Sequence, residues 1–380
     1  AAGLATESLS AHIGQRVRWA RGMVQILRIE NPLFGRGLSL AQRLCYFNAT
    51  THYLFALPRL IFLTIPLSYL LLGMVNIHGY SLAVFPYALP HVFIAHVTNG
   101  RVQNRVRSPF WNEIYEAVLA PYILLPTLLA LINPRLGKFN VTAKGGIVQR
   151  TYFDHRVALP LLLLLGLNVA GLVMAGRRYV IDPAHHDTVI MNAVWTLYNV
   201  IVLSVAASVA LERRQRRADV RVDLRMPAAI VTADGSRFEG IAAQLSQRGA
   251  AVHFPGLVPI RLETRVTVVL GSGKASCAIP AEIVDAGRRK AHMVFPRLRL
   301  EQERFLVHVM YSRPDAWLNW DAGRRIDTAL SSLWRIIWLS LRGFFVVIAG
   351  VFNWRRPPSE VPKPRRSPGS RAAATASAIF

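Results

Sequence analysis

The first 211 residues alternate between long apolar runs and short polar segments that are mostly basic. A helix that crosses the hydrocarbon core of a bilayer needs about 20 mainly apolar residues. Two shorter stretches between residues 15 and 48 have apolar residues at helical spacing and predict interfacial helices. The longer runs predict four membrane spans, which are Leu54–Val75, Tyr80–Val97, Val157–Met174 and Thr188–Leu211.

A fifth apolar run, Ala117–Ile132, is shorter than a usual span and contains Pro121 and Pro126. Arg and Lys flank it on both sides, and the cytoplasmic flanks of membrane helices are enriched in these residues. We therefore expect the run to lie along the membrane surface, or to dip in and return while covered by protein. The alternative is five spans, which would place the loop at 135–156 and the arginines after residue 211 on opposite faces.

After Leu211 the hydrophobic pattern changes to a period of two, which is typical of half-buried strands. Turn signals such as Asp234-Gly235 separate five or six short strands, and this pattern predicts a small closed barrel. Glu301–Tyr311 is a predicted helix, and Arg324–Phe352 is a predicted amphipathic helix at the membrane interface. The Pro- and Arg-rich sequence from Arg355 is expected to be disordered.

The expected fold is an α-helical membrane domain of four spans and interfacial helices, then a small all-β barrel and an amphipathic C-terminal helix. The predicted boundaries are 1–50 for the interfacial helices, 51–211 for the membrane region and 212–312 for the barrel. Residues 313–354 would hold the C-terminal helix, and 355–380 the basic tail.

Composition supports a membrane protein with a basic cytoplasmic side. The chain has 380 residues, a hydrophobic content of 52% and a formal net charge of +24. Positive charge of this size can orient the spans and attract anionic ligands or lipid headgroups. Because the basic residues flank the spans, a nucleic-acid partner is not expected. Cys45 and Cys277 are far apart, so neither a disulfide framework nor a metal site is predicted.

Three short motifs carry candidate chemistry. On a helix, Gln15, Arg18 and Trp19 share one face, where a guanidinium suits a diphosphate and an indole suits a pyranose ring. An interfacial helix with an aromatic anchor would also explain these three residues. The second motif is a polar, basic loop between apolar segments, running from Phe139 to Gly146, which could close on an anionic ligand. The third is an arginine cluster, Arg213 to Arg221, just before the first strand of the barrel.

The order of these parts resembles the bacterial cellulose synthase catalytic subunit over at least residues 1–310. The elements are Gln-x-x-Arg-Trp, membrane spans, Phe-x-Val-Thr-x-Lys-Gly and a small β domain. The resemblance implies a UDP-forming processive glycosyltransferase that polymerises glucose from UDP-glucose and passes the β-1,4-glucan across the inner membrane. The four spans would form half of the glucan channel.

The resemblance also implies roles for the first two motifs. Gln15, Arg18 and Trp19 would form the acceptor site, where Trp19 stacks on the terminal glucose and Arg18 assists the diphosphate. The loop would be a gating loop within 135–156 that closes over UDP-glucose, with Thr142 and Lys144 reaching the nucleotide. Its motif residues are Phe139, Val141, Thr142 and Lys144.

The β domain resembles the PilZ domain, a receptor for cyclic-di-GMP. Its signature is Arg-x-x-x-Arg before the first strand and Asp/Asn-x-Ser-x-x-Gly later. Arginines suit the dinucleotide because they pair with phosphates and stack on guanine. Gln244 stands where Asp or Asn is usual, so we expect a weaker guanine contact. A positive flank to the last span is the other interpretation of the arginines. The implied binding residues are Arg216, Arg217, Arg221, Gln244, Ser246 and Gly249.

The carboxylates of glucosyl transfer are missing from this sequence. Residues 1–150 contain no Asp, and no Asp-x-Asp occurs anywhere in the chain. Members of this family use aspartates for UDP, for a divalent metal and as the general base. We therefore interpret the chain, which starts without Met, as the C-terminal part of a longer synthase that is inactive alone. Mg²⁺ is expected only with the missing catalytic part.

The resemblance further implies a multi-pass protein of the bacterial inner membrane with a cytoplasmic PilZ domain. A periplasmic, membrane-anchored subunit is the implied protein partner. The alternative function is a stand-alone membrane-bound receptor for cyclic-di-GMP that regulates a separate partner. The gating loop and Trp19 favour the synthase, because a receptor has no use for them.

Overall fold

The computed structural model describes residues 6–75, 81–103, 110–136, 148–215, 221–256, 265–312 and 328–352. The chain divides into two compact units. The described residues of the helical unit lie within Leu4–Gln215 and Arg325–Phe380. Those of the β unit lie within Arg216–Arg324.

The helical unit contains eight of the nine α-helices found in the described residues, and the β unit contains α8. Side chains cap several of them; for example, Asp154 Oδ1 accepts a hydrogen bond from the Val157 amide at the start of α6, at 3.2 Å. The helices are α1 Leu9–Ile29, α2 Leu40–Thr51, α3 Ala56–Leu72, α4 Val84–Gln103, α5 Trp111–Ile132, α6 His155–Ile181, α7 His186–Ser208, α8 Leu300–Val307 and α9 Ala329–Phe352.

Within the described residues, five helical segments are long and apolar enough to cross a membrane. Three coincide with predicted spans, whereas the predicted span Tyr80–Val97 falls on α4, which is not among them. Helix α5 qualifies because it continues through both of its prolines and extends to Trp111, beyond the apolar run seen in the sequence. The segments are Leu40–Leu72, Trp111–Ile132, His155–Ile181, Pro183–Ser208 and Ala329–Phe352.

The β unit is a closed six-stranded antiparallel barrel, which confirms the predicted fold class. Its strand order is β3-β4-β5-β8-β7-β6. Alternate residues of each strand point inward, so the core is apolar and includes Ile230, Leu270, Ile279 and Ile283. The strands are β3 Val222–Val231, β4 Arg237–Ser246, β5 Gly249–His253, β6 Arg265–Leu270, β7 Cys277–Gly287 and β8 Lys290–Val294.

A two-stranded ribbon in the helical unit joins the start of α6 to the end of α7. Strand β1 is Tyr152–Phe153 and strand β2 is Leu211–Glu212, and they pair in antiparallel register. The ribbon therefore connects the segment after the predicted gating loop to the segment that leads into the arginine cluster.

The C-terminal helix α9 is amphipathic, and its small and polar side is buried against α7. Ser340 and Ser204 share a hydrogen bond at 2.6 Å. A Cβ atom built on Gly343 would lie 2.8 Å from the Ser204 carbonyl oxygen, so the two helices approach closely there. Trp334 and Phe345 are exposed on other sides of α9. The expectation that α9 lies along the membrane interface stays a prediction.

Candidate functional site

The Gln-x-x-Arg-Trp residues lie near the middle of α1. Ile13, Ala20 and Val24 form the buried stripe of this helix, and Ile13 and Ala20 share an apolar cluster with Ile123 of α5. This packing leaves Trp19 47% exposed. The Arg16 guanidinium covers one face of its indole ring at 4.9 Å from the ring centroid. The indole is thus available for a stacking partner, as the predicted acceptor role requires.

Both ends of α1 are held by segments that border the other motifs. At its start, the Leu9 amide donates to the Glu212 carboxylate on β2. At its end, Arg28 Nε donates to the Leu131 carbonyl at 3.2 Å, and Gln25 Nε2 donates to the Pro134 carbonyl. These carbonyls belong to the last turn of α5 and the residues just after it, before the predicted gating loop. Phe139, Val141, Thr142 and Lys144 themselves lie outside the described residues.

The segment that follows the gating-loop motif is hydrogen-bonded to the start of the arginine cluster. The Gln215 amide donates to the Val148 carbonyl at 2.8 Å, and Gln215 Oε1 accepts from the Val148 amide at 3.3 Å. The Arg214 amide donates to Thr151 Oγ1 at 3.1 Å. Together with the β1–β2 pairing, these bonds tie residues 148–153 to 211–215. Arg216 and Arg217 lie outside the described residues.

Two residues of the second PilZ element shape the turn between β4 and β5. Ser246 Oγ donates to the Gly249 carbonyl at 3.1 Å and is almost fully buried. A Cβ atom on Gly249 would lie 2.3 Å from the Met293 carbonyl oxygen, so only glycine allows this approach of β8. Ser246 and Gly249 therefore hold the turn, and they leave Gln244 as the outward-facing member of the element.

Gln244 stands directly opposite Asp223 on the neighbouring strand. The two residues are register partners, and Gln244 Nε2 donates to Asp223 Oδ1 at 2.9 Å. Register shifts follow Asp223 on β3 and precede Gln244 on β4. Such bulges commonly redirect side chains next to functional sites. Arg221 is exposed immediately before β3, so a guanidinium, a carboxylate and an amide lie in one region of the barrel, at Arg221, Asp223 and Gln244.

Basic groups lie near His292 on β8, on the face of the barrel that also carries Gln244 and Asp223. Burial lowers the pKa of His292, and the positive charges of Lys290, Arg221 and His253 lower it further. The Asp285 carboxylate, 3.9 Å from the imidazole, opposes this shift. An electropositive surface of this kind favours an anionic ligand.

An ionic cluster inside the helical unit was not among the residues predicted from the sequence. Arg59 on α3 pairs with Glu113 and Glu116 on α5, and Tyr198 on α7 donates to Glu113 at 3.2 Å. The side chains of Arg59, Glu113 and Glu116 are only 11%, 19% and 15% exposed. An arginine within a predicted span is a usable signal, because charged residues in such segments almost always have a partner.

No group of three His, Cys, Asp or Glu side chains suited to a metal ion occurs among the described residues. The described residues therefore supply no such group for the Mg²⁺ of a metal-dependent glycosyltransferase. The absence of a metal site from the whole chain stays a prediction.

Comparisons with known proteins agree with the motifs. Residues 215–312 match the family model described as PilZ domain. The chain is 44% identical to the cellulose synthase catalytic subunit (UDP-forming) of Pseudomonas fluorescens (strain SBW25), over 91% of this chain and 47% of that protein. It is also 44% identical to the protein of the same name from Xanthomonas axonopodis pv. citri (strain 306), over 90% of this chain and 48% of that protein.

Among solved structures, the chain is similar to one described as the PilZ domain of CeSA from a cellulose-synthesizing bacterium. The identity is 26% and the TM-score 0.22, with 24% of this chain and 96% of that chain covered. The chain spans about half the length of the curated relatives it matches. Over nine-tenths of its length the chain is therefore similar to bacterial cellulose synthase catalytic subunits, and its residues 215–312 match the PilZ domain.

Proposed function

We propose that this chain forms the acceptor site, gating loop, part of the glucan channel and regulatory domain of a cyclic-di-GMP-controlled cellulose synthase. The synthase polymerises glucose from UDP-glucose and passes the β-1,4-glucan across the bacterial inner membrane. The observation that carries this proposal is α1. It presents Trp19 on its outer side, while its two ends are bonded to the segments that border the gating loop and the arginine cluster.

Trp19 stacks on the terminal glucose of the glucan, and Arg18 assists the diphosphate of UDP-glucose. Thr142 and Lys144 of the gating loop contact the nucleotide, and Phe139 and Val141 belong to the same loop. The carboxylates that bind the metal and activate the acceptor are supplied by residues outside this chain, so the chain alone does not transfer glucose.

Cyclic-di-GMP binds the PilZ domain through Arg216, Arg217, Arg221 and Gln244. Ser246 and Gly249 stabilise the turn between β4 and β5 beside this site. Ligand binding reaches the gating loop through the β1–β2 ribbon and its flanking hydrogen bonds, because Gln215 and Val148 are bonded to each other. Such coupling requires that the ligand bind one state of the loop-bearing segment better than the other.

The chain is a membrane protein, and we place it in the inner membrane with the PilZ domain in the cytoplasm. The basic residues that follow α7 support this orientation, because cytoplasmic flanks are rich in Arg and Lys. A periplasmic, membrane-anchored subunit is the proposed partner on the opposite side. Residues 313–327 and 353–380 lie outside the described residues, so the expected disorder of the tail also stays a prediction.

Calorimetric titration of cyclic-di-GMP into the full chain in detergent micelles tests the regulatory part. We expect the wild type to bind and Arg221→Ala to lose most of the affinity. Equal binding by both proteins would contradict the assignment of Arg221.

Quenching of tryptophan fluorescence by cello-oligosaccharides tests the acceptor site. We expect a signal in the wild type that Trp19→Leu abolishes and that Trp334→Leu retains. Release of UDP from UDP-glucose by this chain alone would contradict the division of chemistry proposed above.

A further inference from the structure

We infer that Asp223 is a second guanine-reading residue of the cyclic-di-GMP site, where it acts beside Gln244. The inference rests on the proposed function, since it concerns the same ligand and the same face of the barrel. No element of the PilZ signature includes Asp223, and its position became evident only from the register of β3 against β4.

Asp223 points away from the barrel core. Its neighbours Val222 and Leu224 both belong to the buried cluster, so the alternation of the strand directs Asp223 outward. Asp223 is exposed, and Gln244 next to it is partly exposed. The pair is therefore accessible to a ligand. Register shifts next to both residues interrupt the regular pairing of the strands at this point.

The hydrogen bond between the two side chains fixes how Gln244 is oriented. A carboxylate can only accept, so the atom that Gln244 turns to Asp223 must be its amide nitrogen. The carbonyl oxygen Oε1 of Gln244 then remains an acceptor for a ligand. Asp223 keeps acceptor capacity as well, because its second carboxylate oxygen, Oδ2, is not the atom in this bond.

Two acceptors side by side match the edge of guanine. Its Watson–Crick edge presents the ring N1–H and the exocyclic amine as adjacent donors, whereas adenine presents an acceptor at N1. A single Asp could satisfy both guanine donors with its two carboxylate oxygens. In this chain the longer, neutral Gln244 supplies one acceptor, and the cross-strand Asp223 supplies a charged one. The substitution of Gln for the usual Asp or Asn is thereby compensated by a residue 21 positions earlier.

The test compares cyclic-di-GMP with cyclic di-inosine monophosphate, which lacks the exocyclic amine, by titration into the full chain in detergent micelles. We expect the wild type to prefer cyclic-di-GMP. In this arrangement Asp223 accepts from the exocyclic amine and Gln244 from N1–H. Asp223→Asn should therefore weaken the binding of cyclic-di-GMP about 10- to 100-fold, as expected for loss of a charge-assisted hydrogen bond, and should affect the binding of the inosine ligand much less. Glu239→Gln is the matched control, because it also removes an exposed carboxylate from the barrel surface, and it should retain both affinities.

A conservative variant separates a ligand contact of Asp223 from a structural role. Asp223→Glu keeps a carboxylate at this position, and it should retain most of the preference for cyclic-di-GMP. If Asp223 were merely structural, Asp223→Asn would weaken the binding of both ligands equally. If Asp223→Asn keeps the full preference, this inference alone is overturned. If the wild type binds neither ligand, the regulatory proposal is overturned with it.

Discussion

The helical unit and the β unit distribute polar and apolar side chains in opposite ways. The barrel encloses aliphatic residues such as Leu270 and Ile279, and its charged pair Arg237–Glu239 lies on the surface. The helical unit encloses the Arg59–Glu113–Glu116 cluster and presents leucines such as Leu163 outward. Apolar residues therefore stabilise the barrel from its interior, whereas in the helical unit charged residues lie inside and apolar residues face outward.

The surrounding medium explains this difference. In water, burial of apolar surface is the dominant driving force, so a barrel is held by its apolar interior. Between helices in lipid that force is absent, because lipid tails are as apolar as leucine. Polar pairs and close contacts between small residues then hold the helices together. The same kind of substitution should consequently have very different effects in the two units, and also at tightly packed and open positions within the helical unit.

The largest effect is expected for Arg59→Ala. It leaves Glu113 and Glu116 buried without their cation, and breaking such a pair typically costs about 3 to 5 kcal/mol of unfolding free energy. Arg237→Ala breaks an exposed pair in the barrel and should cost less than about 1 kcal/mol. Denaturant titration of both variants in nanodiscs measures the difference.

A second variant separates charge from packing at this cluster. Glu113→Gln with Glu116→Gln in the Arg59→Ala background removes the stranded charges and should recover part of the lost stability. Equal costs for Arg59→Ala and Arg237→Ala would show that the interior of the helical unit is as well hydrated as the barrel surface.

The next largest effect is expected for the truncation of a leucine, and here the barrel should lose more stability than the helical unit. Leu270→Ala removes a fully buried side chain from the barrel core and should cost about 2 to 5 kcal/mol. Leu163→Ala truncates a side chain that is 60% exposed on α6 and should cost less than about 1 kcal/mol, since lipid replaces the lost contacts. A comparable loss for Leu163→Ala would mean that a protein partner, and not lipid, covers this side of α6.

A smaller effect is expected at Gly343, where α9 meets α7. The Cβ of Gly343→Ala would meet the Ser204 carbonyl oxygen at 2.8 Å, so the helices must separate, at a cost of about 1 to 3 kcal/mol. Gly166→Ala on α6 is the matched control, because nothing lies within 4 Å of its Cβ position. This control should be neutral or slightly stabilising. Similar melting temperatures for the two variants would argue against tight packing of α9 on α7.

The sequence predicts the barrel well because each of its signals is local. Period-two alternation marks the strands, and Gly235 and Gly271 adopt positive φ angles in turns that the sequence signals. The long apolar runs likewise predict α3, α6 and α7. The local signal is less informative for α4, which is not among the segments apolar enough to cross a membrane, and for α5, which begins at Trp111, before the apolar run.

The parts of the site that escaped prediction depend on long-range register. Arg59 and Glu113 are 54 positions apart, and their pairing follows from how α3 packs on α5. Asp223 faces Gln244 only because bulges shift the ladder between β3 and β4. The position of Arg59 within a predicted span signals that it has a partner, but the sequence does not show which residue the partner is, because that depends on which surfaces meet after folding. In contrast, Gln15, Arg18 and Trp19 could be placed together because one helix carries all three.

The smallest expected effects are opposite pH dependences in the two units. Burial lowers the pKa of His292 in the barrel, so its contribution to stability is present above the ordinary histidine pKa and is lost as the pH falls through the lowered value. Burial raises the pKa of Glu212 on the ribbon, although its bond from the Leu9 amide opposes the shift. The contribution of Glu212 is therefore complete below the ordinary glutamate pKa and is lost as the pH rises through the raised value.

Hydrogen exchange resolved by peptide can follow both contributions in one sample. Between pH 8 and pH 5, the wild type should lose more protection in β8 on acidification than His292→Gln does. Over the range just above the ordinary glutamate pKa, the wild type should lose more protection at Leu9 and β2 than Glu212→Gln does as the pH rises. Slopes of the same sign at the two places would mean that burial does not control both groups. The contrast between the units would then concern packing alone and would not extend to their ionisable groups.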